Sequence, residues 1–214
     1  MENQKNDQLG VSRRRFLKGL GGGLAATATV AVGVPVVVQA EPTPDGPPPA
    51  TGKRLKGTVR VKLMINGTER SADIEPRTTL LNTLRDHLDL TGAKKICDRG
   101  SCGGCTVIVN GRTAYSCSML AVDAQGKSIT TVEGLGTPEA MSPVQQAFCD
   151  HDALMCGFCT PGMVVSISAL LQKNNHPTLD QVKDACSGNI CRCGTYPRIF
   201  EAALSAAKKL RGGV

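Results

Sequence analysis

Eight of the ten cysteines in this 214-residue chain fall into two sets of four, and their spacing limits what the chain can fold into more than any other feature. The first set reads Cys97-x4-Cys102-x2-Cys105-x11-Cys117, and the second reads Cys156-x2-Cys159 followed by Cys191-x-Cys193. Three closely spaced thiolates with a fourth arriving from a separate segment is the arrangement of a plant-type [2Fe-2S] loop. Gly100, Gly103 and Gly104 stand between the first ligands. Without a Cβ, such residues let the backbone approach a cluster closely and aim N–H groups at its sulfurs. Zinc sites favour two short Cys pairs, which the C-x4-C-x2-C triplet fits poorly. Disulfide frameworks belong to small secreted domains without a core, whereas this chain carries apolar periodic segments enough for two. The second set, read alone, is compatible with iron or zinc.

The segments around the cysteines are of two kinds. From Thr58, Val59, Val61, Leu63 and Ile65 alternate with polar residues, Asn66-Gly67 follows, and Ser71 to Ile74 completes a hairpin. Leu80, Leu81, Leu84 and Leu88 recur at helical spacing within Thr79 to Leu88. Thr106 to Val109, Asn110-Gly111 and Arg112 to Ser116 form a second hairpin with Cys117 just beyond its end, and Ser128 to Val132 supplies one more strand. After Gly134-Leu135-Gly136 the pattern becomes helical: Ser142 to His151, Pro161 to Lys173, Thr178 to Ser187 and Pro197 to Leu210. Pro143, Pro161 and Pro197 sit where helix starts tolerate proline. The expected fold class is therefore α+β. A β-grasp ferredoxin-like domain over residues 58–135 precedes an all-α four-helix bundle over 136–214, with the second cysteine set in the bundle's turns. Roughly 75 residues make a thin core, which a bound metal centre would staple.

The first 57 residues read differently. Ser12-Arg13-Arg14-Arg15-Phe16-Leu17-Lys18 matches a twin-arginine export signal, ahead of a charge-free, Gly- and Ala-rich run from Gly19 to Val38. Val38-Gln39-Ala40 provides a small-residue cleavage site, so residues 1–40 are expected to be a signal peptide rather than a lasting membrane anchor. Export of the folded protein to the periplasm suits a chain whose clusters must be assembled before oxidising surroundings pair its thiols. Residues 41–57 hold five prolines and read as an extended linker. Removal of residues 1–40 leaves twenty Lys and Arg against sixteen Asp and Glu, a net charge of +4. That charge is spread along a chain with no Trp and only six Tyr and Phe, so nucleic acid is not an expected partner.

Three stretches together resemble the iron-sulfur subunit of the molybdenum hydroxylases, the xanthine oxidase and aldehyde oxidoreductase family. They are Cys97-Asp98-Arg99-Gly100-Ser101-Cys102-Gly103-Gly104-Cys105-Thr106-Val107, Cys156-Gly157-Phe158-Cys159-Thr160-Pro161-Gly162, and Ser187-Gly188-Asn189-Ile190-Cys191-Arg192-Cys193-Gly194-Thr195-Tyr196. The resemblance runs from about Thr58 to about Lys209 and fills all eight ligand positions in the family's order. It implies two [2Fe-2S] clusters here, and a large partner subunit that binds molybdenum on a pterin. An FAD-binding subunit or a cytochrome would be the acceptor. The chemistry on substrate would take place in the partner, with electrons passing through the second cluster, then the first. Cys193 would approach the pterin, and Gly100 and Gly103 would line the first cluster. Similar proteins commonly carry Gln where Met155 stands, so a side-chain contact to the pterin from this position is not implied. The twin-arginine signal and the Gly194-Thr195-Tyr196 ending are most like the small subunit of a periplasmic aldehyde oxidoreductase. An isoquinoline-type N-heterocycle hydroxylase is the alternative, and a free-standing ferredoxin-like carrier is a third reading, disfavoured by the second domain.

Cys149 and Cys186 fall inside expected helices and read as small buried apolar residues. His87, His151 and His176 lack metal-ligand spacing and read as exposed or capping. Lys94 and Lys95, just before the first loop, are solvated charges in the plainer reading and cluster-tuning charges in the other.

Overall fold

Residues 55–212 are described by the structure, a computed structural model. The signal peptide expected at 1–40, and the linker except for its last three residues, lie outside the described residues.

Strand β1 (Val59–Ile65) buries Val61, Leu63 and Ile65 on one face, as its period-two pattern dictates. It pairs antiparallel with β2 (Thr68–Ile74), in register from Val59 opposite Ile74 to Ile65 opposite Thr68. Asn66 (φ 52°) and Gly67 (φ 77°) make the turn, both left-handed as a two-residue hairpin demands. The second hairpin, β3 (Thr106–Val109) and β4 (Arg112–Tyr115), repeats the device with Asn110 and Gly111. The short β5 (Ser128–Thr130) lies between the hairpins, parallel to β1 and antiparallel to β3. The sheet order is β2-β1-β5-β3-β4. Leu80 and Leu81 of α1 (Leu80–Asn82) and Leu84 just after it close its core, together with Cys105, Cys117 and Ile129.

Two expectations are refined here. The helix over Thr79 to Leu88 changes pitch: the amide of Leu88 bonds the carbonyl of Thr83, five residues back, so Thr83–His87 is a π-helical turn. The Thr83 hydroxyl also bonds the Thr79 carbonyl at 3.0 Å, competing with the backbone amide for that acceptor. The last strand stops at Thr130, because the Thr131 amide turns to the Asn66 side chain (2.9 Å) and Val132–Gly134 winds into a 3-10 turn.

Four helices follow: α2 (Pro143–Asp150), α3 (Thr160–Lys173), α4 (Leu179–Cys186) and α5 (Tyr196–Leu210). Ser142 with Gln145, and Thr178 with Gln181, form reciprocal capping boxes that start α2 and α4. Their common core holds Phe148, Met163, Ile167, Val182, Ile199 and Ala203. Helix α3 also packs across the sheet, where Val165 and Ala169 meet Ile108 of β3. Among the described residues, no helix is long and apolar enough to cross a membrane.

Candidate functional site

The loop from Cys97 to Cys105 leaves the α1 region and returns as β3, so its shape is fixed at both ends. Its backbone curls through left-handed positions at Asp98 (φ 54°), Gly100 (φ 70°) and Gly103 (φ 70°). The curl turns amides inward: Gly100 N–H donates to Cys117 Sγ at 3.2 Å and Ser101 N–H to Cys97 Sγ at 3.4 Å. Amides of Arg99 and Ser101 bring the Cys97 thiol down to about 6, since a donor favours the charged sulfur. Cys105 is held by burial at about 11 in the free-thiol state. Cys117 enters from the short turn Ser116–Ser118 after β4, with the Ser118 hydroxyl 3.6 Å from its sulfur. Gly103 faces another way: its carbonyl accepts from the Thr106 hydroxyl (2.6 Å) and the Asn189 side chain (2.9 Å). Lys95 is paired with Asp98 at 3.2 Å and bonds Asn82 at 3.0 Å, so its charge is largely met locally.

The second set lies at one end of the helices. Cys156 and Cys159 occupy the turn leading into α3, and Cys191 and Cys193 the turn between α4 and α5. Burial raises the Cys159 thiol to about 12. Burial opposes ionisation at Cys191 too, but the hydroxyl and amide of Thr195 outweigh it and hold that thiol at about 7. The Thr195 hydroxyl lies 3.2 Å from Cys191 Sγ. Cys191 is buried, while Cys156 and Cys193 are exposed. Met155 (74% exposed), Phe158 (57%) and Ile190 (55%) surround them as an apolar rim.

Within each set the thiols meet in pairs: Cys97 with Cys102, Cys105 with Cys117, Cys156 with Cys193, and Cys159 with Cys191. Among the described residues, no three His, Cys, Asp or Glu side chains converge as they would on a single metal ion. Two pairs of thiolates, two to each iron, are what a two-iron rhomb takes. The donor set therefore fits [2Fe-2S] at both places.

The remaining cysteines divide. Cys186 is buried, as its helical position implies. Cys149 is exposed, contrary to expectation, because Ala147 and Phe148 take the inward face of the short α2. It borders an apolar cavity of about 390 Å³ with Met141, Phe148 and Leu154. His87 and His176 are exposed, and His151 caps the C-terminus of α2. Asn189, Ser166 and Tyr115, which link the two halves, were given no role of their own from the sequence: a polar side chain reads as solvated until its neighbours are known.

Residues 63–130 match the family described as the 2Fe-2S iron-sulfur cluster binding domain, and residues 131–204 the family described as the [2Fe-2S] binding domain. Fold and matches together define a tandem two-cluster iron-sulfur protein. The chain is 41% identical over 202 residues to the aldehyde oxidoreductase iron-sulfur-binding subunit PaoA of Escherichia coli K12, covering 87% of this chain and 86% of that one. It is 45% identical over 148 residues to the nicotine 6-hydroxylase small subunit of Paenarthrobacter nicotinovorans, covering 69% and 89%. The solved quinoline 2-oxidoreductase of Pseudomonas putida 86 superposes with a TM-score of 0.68 at 42% identity, covering 73% of this chain and 99% of that one. The chain belongs to the iron-sulfur subunits of the molybdenum hydroxylases, the electron-transferring part of oxidoreductase complexes.

Proposed function

We propose that this chain serves an exported, aldehyde-oxidising molybdenum complex. Cys97, Cys102, Cys105 and Cys117 hold one [2Fe-2S] cluster, and Cys156, Cys159, Cys191 and Cys193 hold the other. The pairwise meeting of the thiols carries this reading. Each cluster, when bound, stores and releases a single electron.

The protein's part is to hold the thiolates, aim donors at them and present the two sites outward in different ways. Around the first site, Gly100 and Ser101 supply backbone donors, and Lys95, Arg99 and Ser101 leave a mainly polar rim exposed, with Ile96 its apolar member. An FAD-binding subunit or a cytochrome would dock on this side. Around the second site, Met155, Phe158 and Ile190 make an apolar rim suited to a lasting subunit interface. The large subunit with its molybdenum-pterin group belongs here, with Cys156 and Cys193 the exposed ligands and Cys193 the one that would approach the pterin. Met155 would meet it by packing.

The choice of aldehydes rests on the reach of the likeness. The alignment with the E. coli aldehyde subunit covers 87% of the chain, more than residues 55 onward can supply, so the likeness continues N-terminal to the two cluster-binding families. The nicotine-oxidising relative covers only 69%. Periplasmic work is inferred from Arg13 and Arg14 ahead of the uncharged run from Gly19 to Val38. An N-heterocycle hydroxylase is the second reading, favoured by the near-complete cover of the quinoline-oxidising enzyme's small chain. The complex purified with its partner subunits decides: with an artificial acceptor it is expected to oxidise a panel of aldehydes and leave quinoline and nicotinate untouched. Turnover of the heterocycles alone would reverse the assignment.

A further inference from the structure

The two cysteine sets meet at a buried polar seam. The turn carrying Gly188, Asn189, Ile190 and Cys191 lies against the loop carrying Cys102 and Gly103. Asn189 is 4% exposed and uses both ends of its carboxamide. Its Nδ2 donates to the Gly103 carbonyl at 2.9 Å and lies 3.3 Å from Thr106 Oγ1, while its Oδ1 accepts from the Ser166 hydroxyl at 2.8 Å. Backbone and tyrosine bonds flank it: Ile190 N–H donates to the Cys102 carbonyl at 2.9 Å, and Tyr115 OH to the Gly188 carbonyl at 2.9 Å. The approach is close to backbone contact, since a Cβ on Gly103 would strike the Gly188 carbonyl and Asn189. A buried amide satisfied on both faces fixes register, because any slip leaves donors and acceptors without partners.

We infer that Asn189 is a positioning residue that, given the two-cluster reading above, sets the distance and orientation of one centre relative to the other. It ties the backbone two residues before Cys191 to the backbone one residue after Cys102. Thr106 and Ser166 hold the carboxamide in its orientation from β3 and α3.

The test uses the whole complex as wild type, Asn189→Asp and Ser166→Ala. Asn189→Asp keeps the shape and the acceptor for Ser166, but sets an oxygen against the Gly103 carbonyl. Ser166→Ala removes the bond at the far end of the carboxamide only. Three quantities are read: iron per chain, the spin–spin splitting between the two reduced centres, and deuterium exchange across residues 188–191. Iron at two per cluster is expected throughout, with each centre's own g values kept. In Asn189→Asp the splitting is expected to shrink or broaden and the Ile190 amide to exchange about tenfold faster, with Ser166→Ala changing in the same direction by less. A residue that merely stabilised the fold would leave the splitting alone. Unchanged splitting and exchange in both variants, with iron complete, would overturn the positioning role. A wild type lacking one iron pair would overturn the two-cluster reading instead. Should Asn189→Asp lose iron, the same two readouts on Ser166→Ala decide.

Discussion

At the scale of residues, small donors on sulfur distinguish the two sites. The Thr195 hydroxyl on Cys191 favours the more negative, reduced state of any cluster held there. Thr195→Val keeps the shape and removes the donor. The second centre's midpoint potential is expected to fall by roughly 40 mV per kcal/mol of lost differential bonding, with the first centre unmoved. A redox titration followed by paramagnetic resonance reads both centres at once. The two cysteines outside the sets give a separate test. Burial pushes the Cys186 thiol up to about 11, so its thiolate is scarce at every pH below that value, whereas Cys149 is exposed. Alkylation of the cluster-loaded protein at neutral pH is expected to add one group, at Cys149, as read by peptide mass.

At the scale of elements, the critical contact is helix α3 against the first loop. A Cβ on Gly162 would run into the Gly103 carbonyl, a backbone atom that cannot swing aside. Gly162→Ala is therefore expected to lower stability by about 1–3 kcal/mol, against about 1 kcal/mol for Gly157→Ala, where nothing crowds the new methyl and only the positive φ resists. Thermal unfolding of the two variants gives the comparison. Much of this level was legible in the sequence. The Asn66-Gly67 and Asn110-Gly111 turns fix both hairpin registers, and Pro143, Pro161 and Pro197 mark helix starts within a residue or two. The π-helical turn at Thr83–His87 was not legible, since leucine spacing is the same for either pitch over so short a run. Nor was the outward Cys149, because an eight-residue helix has little periodicity with which to choose a face. The Asn189 seam was hidden for a different reason: its partner Gly103 lies 86 residues away, and only the fold brings them together.

At the scale of the whole molecule, cysteine spacing pointed to two candidate sites, while the pairing of thiols within each came from the folded loops. The proposed export belongs to this scale as well. Arg13→Lys with Arg14→Lys keeps the charge and removes the guanidinium pair that a twin-arginine receptor reads. Precursor is expected to collect in the cytoplasm, and continued delivery to the periplasm would point to another route. The central claim is that one chain holds two different [2Fe-2S] clusters, and it is tested most directly on the anaerobically purified complex by metal analysis joined to paramagnetic resonance after reduction. Expected are two iron pairs per chain and two resolvable signals, one from a sheet-bound loop and one from helical turns, with Cys193→Ser impairing the second signal and sparing the first. A single iron pair, or zinc held by Cys156, Cys159, Cys191 and Cys193, would contradict it.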